Sequence, residues 1–251
     1  MMKVNRNGMC PPLKSIVTGG FGMRARHLAR YTYLPQRAAL SHNSLQLCSV
    51  AYGMPAYISR LRREVAQAEH EGERVVLHVL SASAWYVMDY LRTYQPKNVC
   101  GLVLESTPYR FNLEPLAREL LPAPIARSSC ALLDALLRLN GASDEWRSRY
   151  LETLENPPVD HVLVIGSQQD SMIPAEQFTD LSHAMRLTRD DSKVSSFISD
   201  CSRHALAVKD DPKYGDIMNR WIKQLEDPLK GMESDPVLSS GNPGISTPAL
   251  G

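Results

Sequence analysis

Short apolar runs, each closed by turn residues and followed by a helical stretch, recur along most of this chain. The run at residues 75–80 is apolar throughout apart from His78. A short run of that kind is expected of a strand covered on both faces. Similar runs end at Ile16-Val17 and occupy residues 45–50, 99–104, 162–165 and 194–198. Helical patterns lie between them. One opens at Pro55 and runs to about His70, where Gly72 ends it; another spans Ser83 to Tyr94 and is stopped by Pro96. Two more cover 174–186 and 206–225. This alternation predicts a mostly parallel sheet with helices on both faces, because parallel neighbours need crossover connections.

Two segments break the rhythm. Residues 111–156 carry leucines at helical spacing (Leu116, Leu120; Leu132, Leu133, Leu136, Leu137) and no strand. They are expected to form a helical lid inserted above the strand ends, its apolar faces covering a pocket suited to an apolar acyl group. From about Glu233 the chain is rich in Ser, Gly and Pro, a composition expected to be disordered. The division that follows is an extension over 1–14, one α/β domain over 15–228 and a tail over 229–251. A chain of 251 residues is long enough for one such domain with a well-buried core.

Composition narrows the function classes. Hydrophobic residues make up 43% and charged residues 22%, as in an ordinary globular protein. No apolar run reaches the roughly 18 residues of a spanning helix, and the first residues (Lys3, Arg6, Asn7-Gly8, Pro11-Pro12) lack the core of a secretory signal. Cys10, Cys48, Cys100, Cys130 and Cys201 are odd in number and form no CxxC. They read as reduced thiols, Cys48 and Cys100 inside strands, in an intracellular, cytoplasmic protein. The net charge of +1 hides an asymmetry: residues 1–63 carry ten Lys or Arg and no acid, leaving 18 basic against 27 acidic residues in the remainder. A solvated basic face is the plain reading. Peripheral contact with anionic lipid, or an acidic substrate, is the sharper one. A nucleic-acid partner is not expected.

In open α/β sheets, chemistry collects at the carboxyl ends of strands. After the run at 75–80 comes Ser81-Ala82-Ser83-Ala84 and then a helix. Strand, serine and immediate helix are the context of a nucleophile elbow, G-x-S-x-G, whose neighbours must be small where helix and strand approach. Val79 and Ser83 stand at the two glycine positions. Ser83 is the poorer nucleophile candidate, since Trp85 would then take the second small position. After 162–165 comes Gly166-Ser167-Gln168-Gln169-Asp170, and after the last strand Ser202-Arg203-His204. The order Ser, Asp, His, with gaps of 89 and 34 residues, is that of the α/β-hydrolases. Ser81 would be the nucleophile, His204 its base and Asp170 the group that orients the imidazole. Glu105, at the end of the next strand, is the runner-up acid. A Ser81–His204 approach within about 4 Å is expected. Oxyanion donors are expected from the backbone of Ala82 and from the Gly19-Gly20-Phe21-Gly22 loop, at Gly20 and Phe21.

A competing motif loses. Residues 20–25 also fit G-x-G-x-x-A after a strand, but no Asp or Glu occurs before Glu64 to bind a ribose, and Arg37 is not at a strand end. No Walker A sequence, HExxH or zinc-ligand cluster occurs, so neither a cofactor nor a metal is expected. His78, inside a buried strand, reads as a satisfied core histidine.

Four segments are similar to an α/β-hydrolase-like family, that of transmembrane protein 53 and the fungal PaxU proteins. They are Gly19-Gly20-Phe21-Gly22 with Leu28-Ala29-Arg30-Tyr31, then His78-Val79-Leu80-Ser81, then Glu105-Ser106-Thr107-Pro108, and finally Ser202-Arg203-His204 with Lys209, Pro212 and Tyr214. These resemble the family's glycine-rich loop, its H-V-F-S elbow, its D-S-A-P turn and its S-x-H…R-x-x-P-x-Y ending. The resemblance spans about residues 15–225 and makes Val79 a family habit. Departures are Ala82-Ser83-Ala84 where the family has Asn-Gly-Gly, and Ala207 where it has a second histidine. Pro122, Pro124, Arg127 and Asp134 interrupt the insertion where transmembrane protein 53 is apolar, so membrane anchoring does not transfer. The sequence thus points to an α/β-hydrolase-type sheet with a helical lid, cleaving an ester or related acyl bond. A non-catalytic relative that binds a partner or small ligand is the alternative.

Overall fold

The computed structural model describes residues 10–20, 23–40, 50–110, 134–135, 138–139 and 142–226. Among the described residues six strands form one sheet: β1 (Leu13–Thr18), β2 (Gln36–Leu40), β3 (Arg74–Leu80), β4 (Val99–Glu105), β5 (His161–Ser167) and β6 (Val194–Ser199). Their order is β2-β1-β3-β4-β5-β6, and every pair is parallel. The chain winds outward from β1 to β2, then returns past β1 to lay β3 on its other side. The direction of winding therefore reverses between β1 and β3, and that switch point opens a crevice beyond their carboxyl ends.

Helices cover both faces. The segments are α1 (Ala25–Leu28), α2 (Val50–His70), α3 (Ala84–Tyr94), α4 (Asp144–Glu155), α5 (Ala175–Thr188), α6 (Ala207–Asp210) and α7 (Tyr214–Glu226). On one face Ile16, Leu77, Leu102 and Val164 pack with Leu61 of α2, Leu91 of α3, Leu154 of α4 and Phe178 of α5. On the other Val17, Val76, Val103 and Leu163 meet Leu28, Tyr31 and the apolar stripe of α7. That stripe (Tyr214, Ile217, Met218, Trp221, Ile222, Leu225) has the three-and-four spacing of a helix with one buried side. In β3 and β4 every residue is buried, as central strands of a two-faced sheet require.

Three sequence readings change. The second strand among the described residues is Gln36–Leu40, which was not read from the sequence; of the run at 45–50, residues 45–49 lie outside the described residues and Val50 belongs to α2. As the edge strand, β2 buries only Leu40 fully and so carries no apolar run to betray it. The helix from Pro55 begins at Val50 and carries Pro55 within it. The helix read over 206–225 is two, α6 and α7, broken at Pro212, which has no N–H to continue the ladder. Asp211 Oδ1 accepts the Lys213 N–H at 2.9 Å across that break. Of the insertion, α4 is described; Leu116, Leu120, Leu132, Leu133, Leu136 and Leu137 lie outside the described residues, as do Cys48, residues 1–9 and the tail beyond 226. Cys100 is buried in β4, and burial pushes its thiol up to about 11.

Gly166 of β5 is required by packing: a β-carbon there would land inside the ring of the fully buried Phe178. Gly166→Ala is expected to lower stability by about 1–3 kcal/mol, the cost of overpacking a tight core. Phe178→Leu in the same chain should recover part of that loss, since the two side chains compete for one space. Urea denaturation of the two single variants and the double variant checks both; additive losses would contradict the contact.

Candidate active site

The site forms where β1, β3, β5 and β6 end. β3 stops at Leu80, and a single 3-10 turn, Ser81–Ser83, leads directly into α3. Reversing from strand to helix in so few residues puts Ser81 in the left-handed region, at φ 56. That conformation costs a non-glycine residue roughly 1–2 kcal/mol. Its effect is to lift the side chain off the sheet toward the crevice. Ser81 Oγ lies 2.8 Å from Nε2 of His204.

His204 sits on the loop between β6 and α6, with its side chain 18% exposed. Its Nδ1 faces the Asp170 carboxylate, 2.9 Å from Oδ2 and 3.1 Å from Oδ1. Asp170 follows β5, and its side chain is completely buried. Its Oδ1 also accepts the N–H groups of Met172 and Ile173, both at 2.9 Å. These bonds fix the carboxylate and keep it an acceptor, so Nδ1 carries the proton and Nε2 is left to accept from the serine hydroxyl. The loops of the acid and the histidine are stitched together. The Ser167 hydroxyl donates to the Ser202 carbonyl, and the Gln169 amide donates to the Asp200 carbonyl at 2.8 Å. The Gln168 N–H donates to the Ser199 carbonyl at 2.9 Å.

Of the residues picked from sequence, the structure thus brings Ser81, His204 and Asp170 into one hydrogen-bonded line. Gly20 joins them. A β-carbon on Gly20 would stand 2.7 Å from the Ser81 β-carbon and 2.9 Å from the Leu80 carbonyl, so only glycine lets this backbone pass the serine. Ala82 follows Ser81 in the opening turn, where N–H groups have no acceptor within the helix. Phe21 lies outside the described residues. Glu105 does not face the His204 ring; its carboxylate accepts from Nε2 of His78 at 3.0 Å. The carboxylate at the His204 ring is thus that of Asp170, not that of the runner-up Glu105.

Ser83 explains how the elbow dispenses with its second glycine. The residue is fully buried, and its hydroxyl donates to the Leu80 carbonyl at 2.8 Å, with the Thr18 carbonyl 3.1 Å away as the alternative acceptor. Its side chain thus binds the turn to β1 instead of crowding it. Val79 is fully buried in the face packed under α2 and α3, opposite the face that Leu80 enters. Behind the elbow Trp85 meets Trp146 of α4 edge-on at 6.3 Å, and Trp146 stacks on Tyr150 at 5.9 Å.

Beneath the site lies a second polar cluster, in which His78 is the satisfied core histidine read from the sequence, while its pairing with Glu105 was missed. His78, fully buried, also bonds the Tyr33 hydroxyl through Nδ1 at 2.9 Å. Burial and the nearby Glu105 carboxylate hold the phenols of Tyr31, Tyr33 and Tyr214 well above their usual range, so all three remain donors. The signal was present: His78 and Glu105 are ionisable residues inside otherwise apolar neighbouring strands. Among the described residues no group of three or more His, Cys, Asp or Glu could hold a metal ion, and no helix is long and apolar enough to cross a membrane.

No family model and no curated protein matches the chain. Solved structures do. An esterase of Pyrococcus furiosus, Pf2001, superposes with a TM-score of 0.56 over 87% of this chain and 82% of its own, at 14% identity. Est1E of Butyrivibrio proteoclasticus gives 0.54 over 88% of this chain and 97% of its own, at 13% identity. The thioesterase domain of the curacin biosynthetic pathway gives 0.52 over 83% and 91%, at 12% identity. With the six-stranded parallel sheet, these likenesses show that the chain has the α/β-hydrolase fold.

The strain at Ser81 has a measurable consequence. Ser81→Ala and Ser81→Gly both remove the hydroxyl, but only glycine relieves the left-handed backbone. Ser81→Gly should be the more stable of the two by about 1 kcal/mol in urea denaturation. The reverse order would contradict the left-handed turn.

Proposed function

We propose that this chain is a serine hydrolase that cleaves an ester or related acyl bond with Ser81, His204 and Asp170. The observation that carries the reading is the 2.8 Å approach of Ser81 Oγ to a ring nitrogen whose partner nitrogen is held by a buried carboxylate. A serine hydroxyl is a weak nucleophile without a base, and this is the arrangement that supplies one.

The steps follow from the geometry. Ser81 Oγ attacks the acyl carbon while its proton passes to Nε2 of His204. The imidazolium that forms is stabilised by Asp170, which also fixes the tautomer and the ring plane. Negative charge develops on the former carbonyl oxygen. The Ala82 N–H at the helix start and an N–H of the loop after β1, at Gly20 or Phe21, are the donors proposed for it. His204 then gives its proton to the departing oxygen or sulfur, leaving an acyl-serine. Water, deprotonated by the same nitrogen, releases the acid and restores the hydroxyl.

The motif resemblance to the family of transmembrane protein 53 and PaxU belongs to the same proposal, as does an acyl substrate of the ester or thioester kind named for the structural relatives. The departures at Val79 and Ser83 favour the non-catalytic alternative on sequence grounds alone. Against it stands the hydrogen bonding of Ser83, which leaves the Ser81 hydroxyl free to meet His204.

Purified protein should hydrolyse a short activated ester such as p-nitrophenyl acetate. Ser81→Ala and His204→Ala should each lower kcat/KM by on the order of a thousandfold or more, to similar extents, because triad members act as a unit. Equal rates in wild type and a folded Ser81→Ala variant would overturn the proposal in favour of the binding-module reading.

A further inference from the structure

The Glu105 carboxylate is 1% exposed, and the catalytic proposal does not use it. A buried carboxylate is costly unless donors surround it. Here they come from four separate parts of the chain. From β3, His78 Nε2 donates to Oε2 at 3.0 Å, three residues before Ser81. From the segment after His204, the Ala207 N–H donates to Oε1 at 3.2 Å. Tyr31 and Tyr214 approach the same carboxylate at 3.3 and 3.4 Å, from the segment after α1 and from the start of α7.

The residue next to Glu105 completes the grip. Ser106 Oγ accepts the Ala205 N–H at 2.8 Å, and the Ala205 carbonyl lies 3.2 Å from the Tyr31 hydroxyl. Ala205 is itself left-handed, at φ 48, and directly follows His204. A strained residue of that kind persists only where its surroundings over-determine it. Both of its backbone groups are held from the end of β4 and from Tyr31, and none of these contacts touches the imidazole.

We propose that Glu105 is a positioning residue: its carboxylate braces the strand that carries Ser81 against the loop that carries His204, and so sets the Oγ–Nε2 distance. The claim that this brace serves catalysis rests on the hydrolase reading above; the claim that it holds the loop does not. A carboxylate suits the position because every group facing it is a donor. The isosteric amide of glutamine would turn an N–H toward either the Ala207 N–H and Tyr31 or toward His78 and Tyr214. Glutamine therefore fills the space but replaces one of the two accepting oxygens with a donor.

The test joins amide hydrogen exchange to steady-state kinetics in the full chain. In Glu105→Gln the amides of Ala205 to Ala207 should exchange at least tenfold faster than in wild type, as expected when the Ala207 N–H loses its acceptor and the segment opens as a unit. With the short ester, kcat should fall at least tenfold while KM changes by less than about threefold, because the ester is still bound but the base is misplaced. Ser106→Ala, which removes the acceptor of the Ala205 N–H alone, should shift both in the same direction and carries the test if Glu105→Gln does not fold. Exchange within about twofold of wild type in both variants would overturn the brace. Faster exchange in a protein whose wild type cleaves nothing would uphold the brace and remove the hydrolase reading instead. Faster exchange with kcat unchanged in an active enzyme would overturn the positioning role.

Discussion

At the carboxyl end of β3 the chain must leave a strand buried on both faces and enter a helix within three residues. Only a left-handed residue makes that reversal, and the residue there is Ser81. The rest of the site is arranged around this strained turn. Gly20 must be a glycine because the turn brings Ser81 against the loop after β1. Ser83 must satisfy its hydroxyl locally because the turn buries it against Thr18 and Leu80. The strain persists because β3 is paired on both sides, with β1 and β4, and cannot relax by shifting.

The sheet topology supplies the remaining groups without further strain. Parallel strands present all their carboxyl ends on one side, so loops distant in sequence meet there. Asp170 arrives from β5 and His204 from β6, and the two loops are bonded to each other through Ser167, Gln168 and Gln169 before either meets Ser81. Below them the carboxylate of Glu105 gathers donors from β3, from the segment after α1, from the segment after His204 and from the start of α7. A hydrogen-bonded pair of loops on a fixed sheet is the kind of support that holds side chains to the precision acyl transfer needs.

The central strands were legible because burial on both faces makes nearly every residue apolar, His78 and Glu105 being exceptions. Residues 75–80, 99–104 and 162–165 announce themselves as apolar runs; Ser81 and Glu105 follow the first two directly, and Asp170 lies five residues beyond the third. Ser81, Asp170 and His204 could therefore be picked by position. What escaped has a physical reason in each case. β2 is an edge strand with exposed Gln36, Arg37 and Ala39, so it lacks the run. Pro212 divides the last helix, although the apolar spacing continues through it. Glu105 was read as a spare acid because a sequence shows where a carboxylate sits along a strand but not which of two histidines it faces. His78 lies two residues from Leu80, the register partner of Glu105, on the same face of β3, and that pairing appears only once β3 and β4 are laid side by side.

The central claim is that His204 makes the Ser81 hydroxyl nucleophilic. Covalent capture tests it without any assumption about the natural substrate. A fluorophosphonate transfers its phosphonyl group only to a serine whose proton is being removed, with fluoride leaving. Intact mass followed by peptide mapping should find one adduct per chain, on Ser81, and none in a folded His204→Ala variant. An adduct on another serine, or a folded wild-type protein that takes up no phosphonyl group, would contradict the account.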